Sequence, residues 1–190
     1  MTLFRTIAPS IEPVTIVEAK THLRVEHDGE DELIGLLIRA AREEVEAQTG
    51  LALLAQGWRL TLDAWPRDGV VLIRKHPVTE ISEVTVYGPG GDPETLPGSA
   101  WHFDPRSRPA RLALSDTSMA LRRLNGIEID FIAGFGESGP DVPDSLRRAV
   151  LLLVAHWYEF RAAFDAARQP VSIPSGFSRL VASWRSGRLT

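Results

Sequence analysis

The chain has 190 residues, 44% of them apolar and 24% charged, with a net charge of −4. That length suits one domain with a small appendage and is enough to bury a real core, and the composition is that of an ordinary globular protein rather than a disordered one. With no cysteine, disulfides, thiolate zinc sites and a cysteine nucleophile are excluded.

The first residues, MTLFRTIAPSIEP, hold one arginine, a broken apolar run and an early Glu12, which is not the pattern of a signal peptide. The longest apolar run, Ala149 to Ala155, falls far short of the roughly 20 residues of a membrane span. A protein without a membrane association, made in a bacterial cytoplasm, is expected. Lys20 and Lys75 are the only lysines among 21 basic residues, a bias toward arginine that indicates a GC-rich genome and carries no mechanism.

In chain order, a proline-bearing lead-in gives way to a first helix over about 15–23, where Thr15 and Glu18 have capping-box spacing. HDGEDE interrupts, and a second helix is predicted over 31–49, with Ile34, Leu37, Ile38, Ala41 and Val45 on one face and Gly50 as its stop. From Trp58 the period changes to two. WRLTLDAW, VVLI, ISEVTVYG, short stretches at Trp101–Phe103 and Arg111–Leu114, and IEIDFIA read as strands with no helix between them, hence a mostly antiparallel β subdomain over about 57–133.

A third helix is predicted over about 143–164, with Pro143 in its first turn and an apolar surface on every side from Ala149 to Ala155. ARQPVSIPSG breaks the chain again. Beyond it Phe177, Leu180, Val181 and Trp184 fall at i, i+3, i+4, i+7 on a last short helix. The expected class is therefore α+β, a helical core with an inserted β subdomain, with residues 1–169 as one domain and 170–190 as a C-terminal segment. Residues 166–190 carry Arg168, Arg179, Arg185 and Arg188 and no acid, so this end is basic on an acidic chain.

Gly134, Gly136 and Gly139 fit G-x-G-x-x-G between a strand and a helix, which raises a small α+β enzyme or nucleotide-binding protein using this loop as one reading. Against it, Pro140 and Pro143 delay the helix and remove donors, and no βαβ unit surrounds the motif. The glycines read better as turn residues. The five histidines, His22, His27, His76, His102 and His156, show no i, i+4 zinc spacing, HDGEDE lacks the alternating ligands of a calcium loop, and His156 near Glu159 is an isolated pair. Neither catalytic residues, metal nor cofactor are expected. A sequence-specific DNA-binding module is disfavoured by the pI of about 5.7 and the absence of a basic recognition helix.

The order EAKTHLRV, DELIGLLIRAAREEVEAQTG, HPVTEISEVTVYG, IDFIAGFGES and VPDSLRRAVLLLVAHWYEFR resembles the head-tail connector, or adaptor, family of long-tailed bacteriophages, prophages and gene transfer agents. The resemblance covers about Pro13 to Arg161 and fades beyond Pro170. It implies a helical core with a β subdomain and a non-enzymatic subunit of a ring of twelve copies beneath the portal protein. It also implies a stopper or other neck protein on the tail side, and DNA passing through a central channel without sequence-specific binding.

A head-to-tail ring needs two complementary, non-identical faces. Leu151 and Leu152 of the third helix, and Arg39, Arg42, Glu43 and Glu46 of the second, are the candidates for the subunit interface. Phe177, Leu180, Val181, Trp184, Arg185 and Arg188 are the candidates for docking on the portal, the apolar stripe as anchor and the arginines setting register.

Overall fold

A computed structural model describes residues 1–160 and 174–185. The chain divides into two compact units, one of residues 1–9 and 55–135, the other of 10–54 and from 136 onward. Each is assembled from separated stretches of sequence.

The first unit is all β. Strands β1 (Thr2–Ile7), β2 (Gln56–Leu62), β4 (Val78–Tyr87), β5 (Pro93–Thr95) and β8 (Ile127–Ala133) form a five-stranded sheet in the order β1-β2-β8-β4-β5. Strands β3 (Val70–Ile73), β6 (Trp101–Asp104) and β7 (Ala110–Leu114) form a second sheet in the order β3-β7-β6. Every pairing is antiparallel. Strand β8 shows why: Ile127, Ile129, Phe131 and Ala133 are buried while Glu128, Asp130 and Ile132 alternate with them on the other face, as period two requires. Register aligns Leu60, Ile129 and Val84 across three strands, and Val71, Ile73 and Leu112 bury the inner face of the smaller sheet.

The sequence pattern identified six of these strands. It left out β1 and β5, whose residues are exposed throughout and so carry no alternation of burial to read. Strand β1 is held by its register on β2, Leu3 opposite Leu60 and Phe4 opposite Arg59, with a bulge between Arg5 and Ile7.

The second unit holds the helices, α1 (Ile16–Leu23), α2 (Asp31–Thr49), α3 (Asp144–Phe160) and α4 (Ser175–Ala182). Helix α1 starts where its capping box closes: the Glu18 N–H donates to Thr15 Oγ1 at 3.1 Å, and the Thr15 N–H donates to Glu18 Oε2 at 2.8 Å. Helix α2 ends at Gly50, which sits at φ 75° and returns its N–H to the Glu46 carbonyl at 2.9 Å. Ile34, Ile38, Ala41 and Val45 of α2 and Leu146, Ala149, Val150, Leu153 and Val154 of α3 are buried, and α3 packs against α1, α2 and α4. The four predicted positions beyond Phe160 in the third helix lie outside the described residues. The mixed α+β class expected from the sequence is what the structure has.

Candidate functional site

The glycine-rich turn from Gly134 to Gly139 has the spacing of a ligand loop. In the first unit the Gly134 N–H donates to the Pro77 carbonyl at 2.9 Å. In the second, a single 3-10 turn (Gly139–Asp141) follows Ser138, and both the Ser138 N–H (2.9 Å) and its Oγ (2.7 Å) donate to Asp141 Oδ2. Those bonds, the hydroxyl first, hold the Asp141 carboxyl below the usual aspartate range. The loop thus supplies its donors to its own carboxylate. Its glycines are there for space: a Cβ on Gly136 would overlap the Asp141 side chain, and one on Gly139 would lie 2.9 Å from the Pro13 carbonyl oxygen. The nucleotide-site reading of Gly134–Gly139 has no support in this geometry.

Other candidates for chemistry resolve into structure. Lys20 Nζ sits 2.5 Å from Asp28 and 2.9 Å from Asp31, so these two acids of HDGEDE serve as partners of a lysine. His76 is buried, its Nδ1 2.9 Å from the Arg74 carbonyl oxygen, and burial lowers its pKa. His156 makes an edge-on ring contact with Phe160, centroids 4.9 Å apart. Among the described residues no group of His, Asp and Glu could hold a metal ion.

What the sequence proposed as interaction residues falls into two sets. On α2, Arg42 and Glu46 are buried, at 2% and 5% exposure, while Arg39 and Glu43 are exposed. Arg42 Nε donates to Glu12 Oε2 at 2.7 Å and Nη1 to Glu46 Oε2 at 3.1 Å, and Glu46 Oε1 accepts the Leu53 N–H at 2.8 Å. Burial works against the Arg42 charge, but the Glu12 hydrogen bond and the carboxylates around it hold its pKa above the ordinary arginine value. This pair is committed to the interior of the second unit, leaving Arg39 and Glu43 as the outward half of the expected interface.

On α3, Leu151 and Leu152 are half-buried, and Leu152 lies in the contact with α4, its Cδ2 3.4 Å from where a Cβ on Gly176 would stand. On α4, Phe177 and Val181 are fully buried, whereas Leu180 and Trp184 are half-buried. Trp184 Nε1 donates to Ser145 Oγ at 3.1 Å, and the exposed Arg185 bonds Gln48. The apolar stripe expected to anchor a partner is turned onto the protein's own helices, because an eight-residue helix is too short to persist in water without burying its apolar face. Arg188 lies outside the described residues.

Sequence reasoning passed over the outer face of the five-stranded sheet. Arg59 spans β2 and β8 there, with Nε and Nη2 each 2.7 Å from Asp130 and Nη1 2.9 Å from Glu128. Tyr87 Oη donates to Glu128 at 3.0 Å, and the Arg122 guanidinium stacks 3.8 Å above the Tyr87 ring. Arg59, Glu128 and Asp130 alternate with buried apolar residues, a signal that marks an outward face without saying that the charges pair.

The fold and these surfaces define a mixed α+β protein whose candidate residues are divided between its interior and its outer faces. By sequence, residues 13–86 match the family described as phage gp6-like head-tail connector protein. No curated protein matches the chain. By structure, the chain is similar over 100% of its length, and 98% of theirs, to proteins in solved particles at 28% identity. These are the neck of an empty GTA particle computed with C6 symmetry (TM-score 0.84), the virion of a native gene transfer agent (GTA) particle (0.84), and the neck of a native GTA particle computed with C12 symmetry (0.78). The resemblance to the head-tail connector family read from the sequence is borne out by both comparisons.

Proposed function

We propose that this chain is a structural head-tail connector subunit of the neck of a phage or phage-like particle, and that it performs no catalysis. The observation that carries the reading is the end-to-end similarity to gene transfer agent particle structures, two of them of the neck, at an identity of 28%. The family match over residues 13–86 supports it independently. In this role the subunit forms a homo-oligomeric ring of twelve copies beneath the portal protein. A stopper or other neck protein binds its tail side, and DNA passes through the channel without being read. The acidic balance of the chain suits such a conduit, since strong attraction for phosphates would slow passage.

Residues 170–190 are the portal-docking segment in this account. Phe177 and Val181 hold α4 in place, and the exposed Arg185, together with Arg188 of the same segment, meets the partner. The test is a producer strain lacking this chain. DNA-filled heads and separate tails that fail to join are the expected products; joined particles of normal yield would overturn the reading.

A further inference from the structure

The two sheets of the first unit expose faces of opposite charge. On the outer face of the five-stranded sheet, register places Phe4, Arg59, Asp130 and Glu83 in one row and Ile7, Gly57, Ile132 and Glu80 in the next. Glu128 lies in the row on the other side of Arg59 and Asp130, opposite Thr61 and Thr85. Four carboxylates, at 80, 83, 128 and 130, therefore stand against two guanidiniums, Arg59, which Asp130 and Glu128 bind, and Arg122, which is stacked on Tyr87. Glu80 and Glu83 are exposed, and at the other side of the same face Phe4 and Ile7 are 44% and 61% exposed.

On the outer face of the three-stranded sheet, Leu72, Arg111 and Asp104 share one row and Val70, Ala113 and His102 the next. Arg106 and Arg111 line a cleft of about 420 Å³ over this face, and the exposed Arg74 stands two residues beyond Leu72. The Asp104 carboxylate in that row is engaged: it accepts from Ser107 Oγ at 2.6 Å, from the Arg106 N–H at 3.0 Å and from Arg111 Nη2 at 2.6 Å. The face is cationic, with Leu72 left 45% exposed among the charges.

From this complementarity we infer that the Arg74, Arg106 and Arg111 face of one copy docks on the Glu80 and Glu83 face of the next copy of the same chain. The inference rests on the ring proposed above and names the contact that closes it. Head-to-tail closure needs two different patches that fit each other, and both are present on this one unit, each pairing charge with exposed apolar side chains. A nucleic acid would satisfy the arginines but would leave Leu72 and the acidic face without a partner; a second copy satisfies both.

Charge reversal tests it. Arg74→Glu with Arg106→Glu makes both faces acidic, and Glu80→Lys with Glu83→Lys makes both basic; all four positions are exposed, and circular dichroism checks that each variant folds. Association is followed by native mass spectrometry and sedimentation at low salt. Each double variant alone should associate about tenfold more weakly than the wild type or worse. Mixing the two, or combining all four changes in one chain, should restore assembly, which a merely structural role would not reproduce. The inference is overturned if the arginine variant assembles like the wild type, or if neither mixing nor combination restores it. It is also overturned if that variant loses only its retention of a duplex DNA probe, or if the wild-type chain stays monomeric. The neck assignment itself is read separately, from the position of the chain in particles.

Discussion

Arg42 and Glu12 face each other across 30 residues of sequence, Nε to Oε2 at 2.7 Å, with Glu46 completing the arrangement at 3.1 Å from Nη1. The three groups join the segment before α1 to the buried side of α2. Arg42→Ala would leave Glu46 buried without its cation, and removing one member of a buried pair costs roughly 3 kcal/mol. Urea unfolding of the Arg42→Ala chain should show a loss of that order, whereas Arg39→Ala, an exposed neighbour, should change stability by less than about 0.5 kcal/mol.

The glycine-rich turn predicts a steric effect in place of a ligand effect. Gly139→Ala drives a Cβ to 2.9 Å from the Pro13 carbonyl oxygen, a backbone atom that cannot step aside as a side-chain tip can. A destabilisation of about 1–3 kcal/mol is expected, read as a lower Tm. Calorimetric titration of the wild type with NAD, FAD or ATP should give no heat; saturable binding abolished by Gly139→Ala would contradict the structural reading.

Helix α4 gives the third prediction. Phe177 is fully buried, so Phe177→Ala should cost the folded chain about 3 kcal/mol. Were the segment an arm waiting for a partner, the same change would leave subunit stability untouched and weaken only head-to-tail joining. Comparing thermal unfolding of the isolated chain with particle yield separates the two.

The N-terminus of α1 responds to acid. The Thr15 N–H, ahead of the Thr15 hydroxyl and Arg147, holds the Glu18 carboxyl below its ordinary value of 4.5. A carboxylate whose folded pKa is depressed stabilises the native state above its unfolded pKa, and that contribution disappears as pH falls through the folded value. Thr15→Ala removes the cap and should cost about 1 kcal/mol at neutral pH. Because the Thr15 backbone N–H survives that change, the acid response is read from Glu18→Gln: its cost relative to the wild type should shrink as the pH is taken below 4.5, and a constant cost would show that the Glu18 carboxylate is not its source.

Much of the helical architecture was legible because it is locally encoded. Thr15 and Glu18 declare a capping box, Gly50 a left-handed stop, and Ile34, Ile38, Ala41 and Val45 a single buried stripe. The alternation of Ile127, Ile129 and Phe131 marked β8 in the same way. Strand β1 was not legible, since an edge strand exposed throughout has no burial pattern and is defined only by its partner β2, some 50 residues away. The fate of Arg42 and Glu46 was hidden for a similar reason: their i, i+4 spacing looks like a solvated charged face, and only tertiary packing brings Glu12 and the Leu53 N–H to them. Phe177 and Val181 showed their amphipathic spacing plainly, but spacing does not say which surface covers the stripe.

The central claim is that this chain is a component of the particle neck. Electron microscopy of purified particles labelled with an antibody against the chain tests it most directly. The account predicts label at the junction of head and tail; label on the capsid, on the tail tip, or on no part of the particle would contradict it.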